Sequence, residues 1–277
     1  MRAVRYAVPE TLPECLQILS DLRDEAVVLA GGTDLVVRLN LREVVPRTVT
    51  DIRKLGLSYI KGEGRSVSLG AATTVSQIAS SELLKQVAPV LVDAAKAMAN
   101  PGIRNVATVG GNLANASPGA DLATPLLVLD AEVVLESRRG ERRMPLSEFF
   151  RGPGLTQREP DELLVEISFK TPAKSGKMAF LKLGRRKAAS LSVVNVAALL
   201  DGPSGSRLAL GAVAPVPMRA TRAEKVLHGQ ALTQELAEQA AKAAAEECAP
   251  VDDGRGSAWY RRQATRELVK RALGFPD

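Results

Sequence analysis

Residues 108–121, TVGGNLANASPGAD, gather three glycines, the short polar side chains of Asn112, Asn115 and Ser117, and a single acid. Gly110 and Gly111 permit φ > 0 and a close approach of backbone N–H groups to a ligand, so a side chain at either position should fill the ligand's space and abolish binding. Pro118 and Gly119 turn the chain, and Asp121 stands where it would cap the apolar run ATPLLVLD. Backbone donors leading into a helix N-terminus suit a bound phosphate. Read alone, the stretch equally suits a tight loop that holds nothing. Its composition argues against a core strand or a helix interior. A further pair, Gly31-Gly32, ends the apolar run 26–30 and precedes a helix starting near Asp34. Strand, glycine turn and helix make half of a dinucleotide fingerprint, but neither GxGxxG nor GxxxxGK[ST] occurs, which disfavours Rossmann and P-loop chemistry.

Few other side chains are equipped for chemistry. The only histidine is His228, and the only cysteines, Cys15 and Cys248, lie far apart. Histidine-rich zinc sites, histidine-based triads and a resident iron–sulfur cluster, which takes about four thiolates, are thereby excluded. So little imidazole points any reaction towards an organic cofactor. The 37 basic and 31 acidic residues leave a formal charge of +6, with clusters at Arg138-Arg139, Arg142-Arg143, Arg185-Arg186-Lys187 and Arg261-Arg262. Nucleic-acid binding would interleave such clusters with aromatics, yet aromatic content is 3% and no recognition motif is present. Solvated turns or a docking face for a partner are the better reading. No apolar run reaches the ~18 residues of a membrane span. The opening MRAVRYAVPETLPEC lacks the apolar core of a secretory signal, so the expected location is cytoplasmic.

The chain of 277 residues has room for one large domain or two ordinary ones. Thr11-x-x-Glu14 reads as a capping box for a helix with Leu12, Leu16, Leu19 and Leu22 on one face. Strands are expected at 48–52, 57–61 and 66–70, with Gly62-Glu63-Gly64 as a turn. Thr73 or Thr74 caps a helix through Ile78, and 88–98 reads as a buried helix stopped by Asn100-Pro101-Gly102. An apolar helix at 122–129, a strand at 131–136 and a charged turn at Arg138-Arg139-Gly140 follow. The polar run 171–177, after a strand at 163–169, is the candidate linker between domains 1–172 and 173–277. Beyond it lie antiparallel strands at 178–183, 192–200 and 207–213, the last two joined by the turn 201–205, then helices at 233–247 and 257–273. Strands first and helices last predict an α+β unit.

The two small-residue stretches, AGGTDL and TVGGN, stand in a longer order of motifs: RYAVPETLPECLQIL, RNVATVGGNLANASPGADLATPLLVLDAEV, FFRGPG, DELLVEI, FLKLGRRKAAS, LGAVAPVPMRAT and YRRQATRELVKRAL. Over nearly the whole chain this order and spacing resembles the flavin subunit of the molybdenum hydroxylases, the family of the xanthine dehydrogenases and carbon monoxide dehydrogenase. The resemblance implies an α+β fold: a two-part FAD-binding domain of the vanillyl-alcohol-oxidase (PCMH) type, then a small α+β C-terminal domain of antiparallel sheet plus helices. It implies that backbone N–H groups at Leu29, Ala30, Gly31, Gly32, Thr33, Asp34 and Leu35, and at Thr108, Val109, Gly110, Gly111 and Asn112, hold the FAD pyrophosphate. Oriented amide dipoles can do so without a lysine. Asp121 matches an acid that meets the adenosine half. Met98 and Leu163 fall where relatives make apolar flavin contacts, and Lys182 where some place a cation near the isoalloxazine; a snorkelling strand lysine is the equal alternative there.

Carbon monoxide dehydrogenase-like members often carry His-Ser after the first glycine pair. Thr33-Asp34 here leans instead towards the wider xanthine-dehydrogenase-like group. The isolated cysteines rule out the cluster-bearing insertion of the benzoyl-CoA-reducing relatives. His228, expected near a helix end, is a poor tether, so FAD should be non-covalent. The resemblance implies an oxidoreductase subunit with no acid–base catalytic residue and no metal of its own. It would take electrons from [2Fe-2S] clusters on a small partner and molybdopterin on a large one, as a dimer of heterotrimers, and pass them to NAD, quinone or oxygen. The competing reading is a stand-alone flavin oxidoreductase with its own small substrate.

Overall fold

A computed structural model describes residues 4–173, 176–186, 189–201 and 205–275. Its strands divide into three main sheets and a short hairpin. The first sheet is small and parallel, with Thr48–Asp51 between Arg5–Ala7 and Ala26–Leu29. The second is antiparallel, in the order Ile60–Glu63, Ser66–Gly70, Leu163–Lys170, Glu132–Ser137, Gly140–Pro145. A core of Cys15, Leu16, Leu19, Ile52, Val134, Leu163 and Val165 joins the two. The N-terminal half is therefore two sheets around a shared seam, with the first glycine pair on one side and the second on the other.

The third sheet runs Lys177–Gly184, Ser192–Leu200, Ser206–Gly211, Met218–Arg219, all antiparallel. Both of its faces are covered. Alternation along the second strand puts Val194, Val196 and Ala198 into a core with Thr221–Leu227, Gln234–Glu247 and Ala258–Ala272. Ala197 and Leu199 turn the other way and join Phe180 in the main core, against helices Pro89–Ala97 and Ala123–Val128 of the N-terminal half. Asn195 and Lys182 share that inward face in register. A Leu or Val there would contribute about 1.5–3 kcal/mol by burial, so these polar residues need strong partners.

Local caps differ from expectation in instructive ways. Thr11 does accept the Glu14 N–H at 3.3 Å, but the Glu14 carboxylate accepts from Glu10, so the reciprocal half of that box is not made. The complete capping box is at Thr74 and Gln77, which opens Val75–Ser80. Gly62 and Glu63 belong to a strand, and the turn falls at Gly64, φ +60°. Asn100 does not merely stop a helix; it caps the short turn Pro101–Arg104. The helix Thr221–Leu227 was not signalled by apolar spacing, and His228 forms its exposed C-terminal cap. Residues 202–204 of the expected turn, 174–175 of the linker and Lys187 of the basic cluster lie outside the described residues. Among the described residues no helix is long and apolar enough to cross a membrane.

The Thr74 cap bears on function because its neighbours hold the second glycine stretch: Val75 N–H donates to Ala107 O at 2.9 Å and Val109 N–H to Thr73 O at 3.0 Å. Thr74→Ala should cost about 1 kcal/mol of stability, read by urea denaturation. An unchanged midpoint and slope would show the box to be idle.

Candidate functional site

The two glycine stretches cross at the seam. A Cβ built on Gly31 would lie 1.9 Å from Val106 O and 2.9 Å from Ala107 Cα, so only glycine lets these two backbones touch. Gly32, at φ +71°, turns the chain into Leu35–Asn40, and Val36 N–H donates back to Gly32 O at 3.1 Å. Among the described residues, the N–H groups of Gly31, Gly32, Thr33, Asp34 and Leu35 make no hydrogen bond within the chain. Thr33 and Asp34 are exposed, and Ala30 and Leu29 sit half-buried behind them. This is a row of unspent donors on a turn with no lysine, a donor set chemically suited to an anion such as a pyrophosphate.

The second stretch is built differently from the reading of its composition. Gly110 and Gly111 lie inside a helical turn, Val109–Ala114, and neither has positive φ. Thr108 caps it, accepting the Gly111 N–H at 3.1 Å. Val109 donates to Thr73 O and Gly110 to Ala71 O at 2.8 Å, while Asn112 N–H reaches Thr108 O at 2.9 Å. These donors hold the fold together. Gly110 is needed because a Cβ would meet Ala71 Cβ at 2.6 Å and Ala71 O at 2.7 Å, not a ligand. Tertiary hydrogen bonds have overridden glycine's poor helix propensity.

Asp121 is not a helix cap either; Leu122 occupies that position, without a side-chain cap. The Asp121 carboxylate is buried and saturated. Lys182 Nζ donates to Oδ2 at 2.6 Å, and Ser192 Oγ and Asn195 Nδ2 donate to Oδ1 at 2.6 and 3.2 Å. Thr124 Oγ1 donates to Asn195 Oδ1 at 2.9 Å, and Leu122 N–H to Asn112 Oδ1 at 3.3 Å. Lys182 therefore does not snorkel. Its side chain is 9% exposed and also reaches Ala97 O at 3.4 Å, next to half-buried Met98. Asn112, Asp121, Lys182 and the Met98 segment thus meet where the C-terminal sheet seats on the N-terminal half. Leu163 lies apart from them, packed with Leu16 and Leu19.

Sequence reading missed a further cluster beside the first glycine pair. Asp51 pairs in register with Leu29. Its carboxylate accepts from Tyr6 Oη and from Arg53, whose Nη2 lies 2.6 Å from Oδ2. The one sequence signal was an acid ending the strand Thr48–Asp51 with an arginine two residues on. Burial alone would raise the Asp51 pKa, but the hydrogen bonds from Arg53 and Tyr6 outweigh it and hold it at about 2. A carboxyl held below its unfolded value stabilises the fold fully above about pH 4, and that contribution is lost as pH falls through about 2. Asp51→Asn should therefore lower Tm near neutrality, with the gap from wild type closing on acidification. A pH-independent gap would show that charge is not what Asp51 contributes.

The remaining reactive side chains are inert. Cys15 and Cys248 are free and buried, and burial pushes both thiols up to about 11. No group of three or more metal-ligating side chains occurs among the described residues. The arginine clusters are largely paired: Arg139 with Asp161, Arg142 with Glu162, Arg143 with Glu141, Arg261 with Asp253.

Residues 2–172 match the model of the FAD binding domain in molybdopterin dehydrogenase, and 179–274 that of the CO dehydrogenase flavoprotein C-terminal domain. The chain is 34% identical to the carbon monoxide dehydrogenase medium chain of Hydrogenophaga pseudoflava, covering 97% of this chain and 95% of that one. It is 33% identical to the nicotinate dehydrogenase FAD-subunit of Eubacterium barkeri, over 98% and 95%. The solved Hydrogenophaga pseudoflava carbon monoxide dehydrogenase superposes with TM-score 0.94 at 35% identity, covering 98% of this chain and 96% of that chain. Quinoline 2-oxidoreductase of Pseudomonas putida 86 gives TM-score 0.91 at 29% identity, over 98% and 95%.

Proposed function

Since this chain belongs to the FAD-binding flavoprotein subunits of the molybdenum hydroxylase family, we propose that it is the electron-transfer subunit of a heteromeric oxidoreductase. Its FAD is non-covalent. Electrons come from [2Fe-2S] clusters on a small partner, fed by molybdopterin on a large one, in a cytoplasmic dimer of heterotrimers. They leave to NAD, quinone or oxygen. When bound, FAD supplies the conversion between single electrons and electron pairs.

The observation that carries this reading is the turn at Gly31–Leu35, whose N–H groups are unspent and which is pinned against Val106 and Ala107 at the seam. These N–H groups bind the pyrophosphate. Thr108–Asn112 forms the opposing wall, kept in place by Ala71 and Thr73. Met98 lines the flavin end with an apolar side chain. Lys182 keeps a positive charge near it, and Asp121, itself held by Ser192 and Asn195, fixes where that charge stands. No residue of this chain is asked to move a proton, which agrees with its single histidine.

Recovery of the chain from its native cells through an affinity tag tests the proposal. Metal analysis should find iron and molybdenum in the complex, and the iron–sulfur and flavin bands should bleach together when the large subunit's substrate is added. A chain isolated alone that oxidises a small substrate by itself would establish the stand-alone oxidoreductase instead.

A further inference from the structure

Arg261 is the largest fully buried side chain outside the site, 2% exposed, at the start of the motif YRRQATRELVKRAL. Its guanidinium is spent on the fold. Nη1 donates to Ala212 O at 2.6 Å and to Val193 O at 3.3 Å, Nε to Gly256 O at 3.4 Å, and Nη2 to Asp253 Oδ1 at 2.5 Å. Asp253 is locked in turn by Arg255, whose Nη2 lies 2.6 Å from Oδ2. Ala212, in the motif LGAVAPVPMRAT, is a non-glycine residue at φ +64°, a conformation an alanine keeps only where its surroundings enforce it. The N–H of that same residue donates across the seam to Pro118 O at 2.7 Å. Pro118 opens the turn joining Asn112 to Asp121, and a Cβ on Gly119 would stand 3.6 Å from Ala212 Cβ.

Ala212 thus has its carbonyl gripped by a buried arginine of the last helix and its N–H gripping the second glycine stretch. We infer that Arg261 is a positioning residue of the FAD site, acting through Ala212 and Pro118 to set the turn that carries Asp121 to Lys182 and seats Leu122 N–H on Asn112. The inference rests on the FAD reading above. Both C-terminal motifs then hold the second glycine stretch from behind, one through Arg261 and the other through Ala212. An arginine suits this position because its fixed fork serves several carbonyls and a carboxylate at once, which a lysine's single ammonium cannot.

Coupling of this kind is reciprocal: if the clamp favours FAD, FAD must favour the clamp by the same factor. In the full-length apo-protein, titrated with FAD by flavin fluorescence quenching, Arg261→Met should raise Kd by about tenfold or more. Arg261→Lys should raise it by less. The visible circular dichroism of the bound flavin should change in both. Leu227→Ala, in the outer C-terminal core, should lower Tm but leave Kd within about twofold of wild type, since it lies off the relay. Folded Arg261→Met with wild-type Kd and flavin dichroism overturns the inference. So does a Leu227→Ala variant that loses as much affinity, because general loosening would then suffice. Should Arg261→Met not fold, hydrogen exchange on the wild type decides: FAD must slow exchange at Ala212, and unchanged exchange there overturns the inference. A wild-type protein without affinity for FAD overturns the FAD reading itself.

Discussion

Gly31→Ala should leave the full-length protein unable to retain FAD through desalting. The methyl group would sit 1.9 Å from Val106 O and 2.6 Å from its carbonyl carbon, both backbone atoms that cannot swing aside. The two glycine stretches would have to separate, at a cost of about 1–3 kcal/mol or more, and the row of N–H groups from Gly31 to Leu35 would move with one of them. Gly31 has no positive φ, so the penalty is one of space, not conformation. Gly110→Ala should act similarly, because its Cβ strikes Ala71 at 2.6 Å. Gly111→Ala should be milder, since its Cβ meets only the Thr108 hydroxyl, at 2.9 Å, and costs about the 1 kcal/mol of that cap. The sequence-based expectation that both glycines of the second pair leave room for the ligand is thus replaced by a ranking. Flavin content after gel filtration, with the Tm of each apo-protein, checks it. Full flavin in Gly31→Ala would show that the crossing does not shape the site.

Lys182→Met should destabilise the protein by about 3–5 kcal/mol, the usual cost of stripping a buried charge of its partner. Asp121 would remain buried with only Ser192 and Asn195 to serve it. Asp121→Asn keeps an acceptor for one of those donors but leaves the Lys182 ammonium with only the Ala97 carbonyl, at 3.4 Å. It should therefore be costly too. The double variant Asp121→Leu, Lys182→Met removes both charges, and should be more stable than either single variant. Chemical denaturation of all three variants gives the comparison. Single variants within about 1 kcal/mol of wild type would mean that water reaches the pair. FAD affinity measured on the same samples separates stability from binding: affinity lost in the stable double variant assigns the loss to the Asp121–Lys182 pair itself.

The parts of this molecule that were legible in the sequence are those set by local pattern. The antiparallel strands of the C-terminal sheet, the helices after them, and the strand–glycine–helix order at residues 26–40 follow from spacing and from glycine's freedom. The helical turn Val109–Ala114 was not legible, because it exists through bonds to Ala71 and Thr73, which lie more than 30 residues back in the chain. Asp121 looked like a cap because the acids that precede helices often are. Its partners at 182, 192 and 195 come from the C-terminal sheet, more than 60 residues on. Tyr6 is brought to Asp51 only by parallel pairing of the first strands, whereas Arg53, two residues on, was within reach from the sequence. Where a residue joins two layers, spacing along the chain does not carry the information.

The most direct test of the account is a visible spectrum of the purified full-length chain, taken before and after acid precipitation. Bands of oxidised flavin should appear on the folded protein, with colour released to the supernatant as FAD and a colourless pellet. A chain that stays colourless after incubation with FAD, or flavin that remains with the precipitated polypeptide, would contradict it.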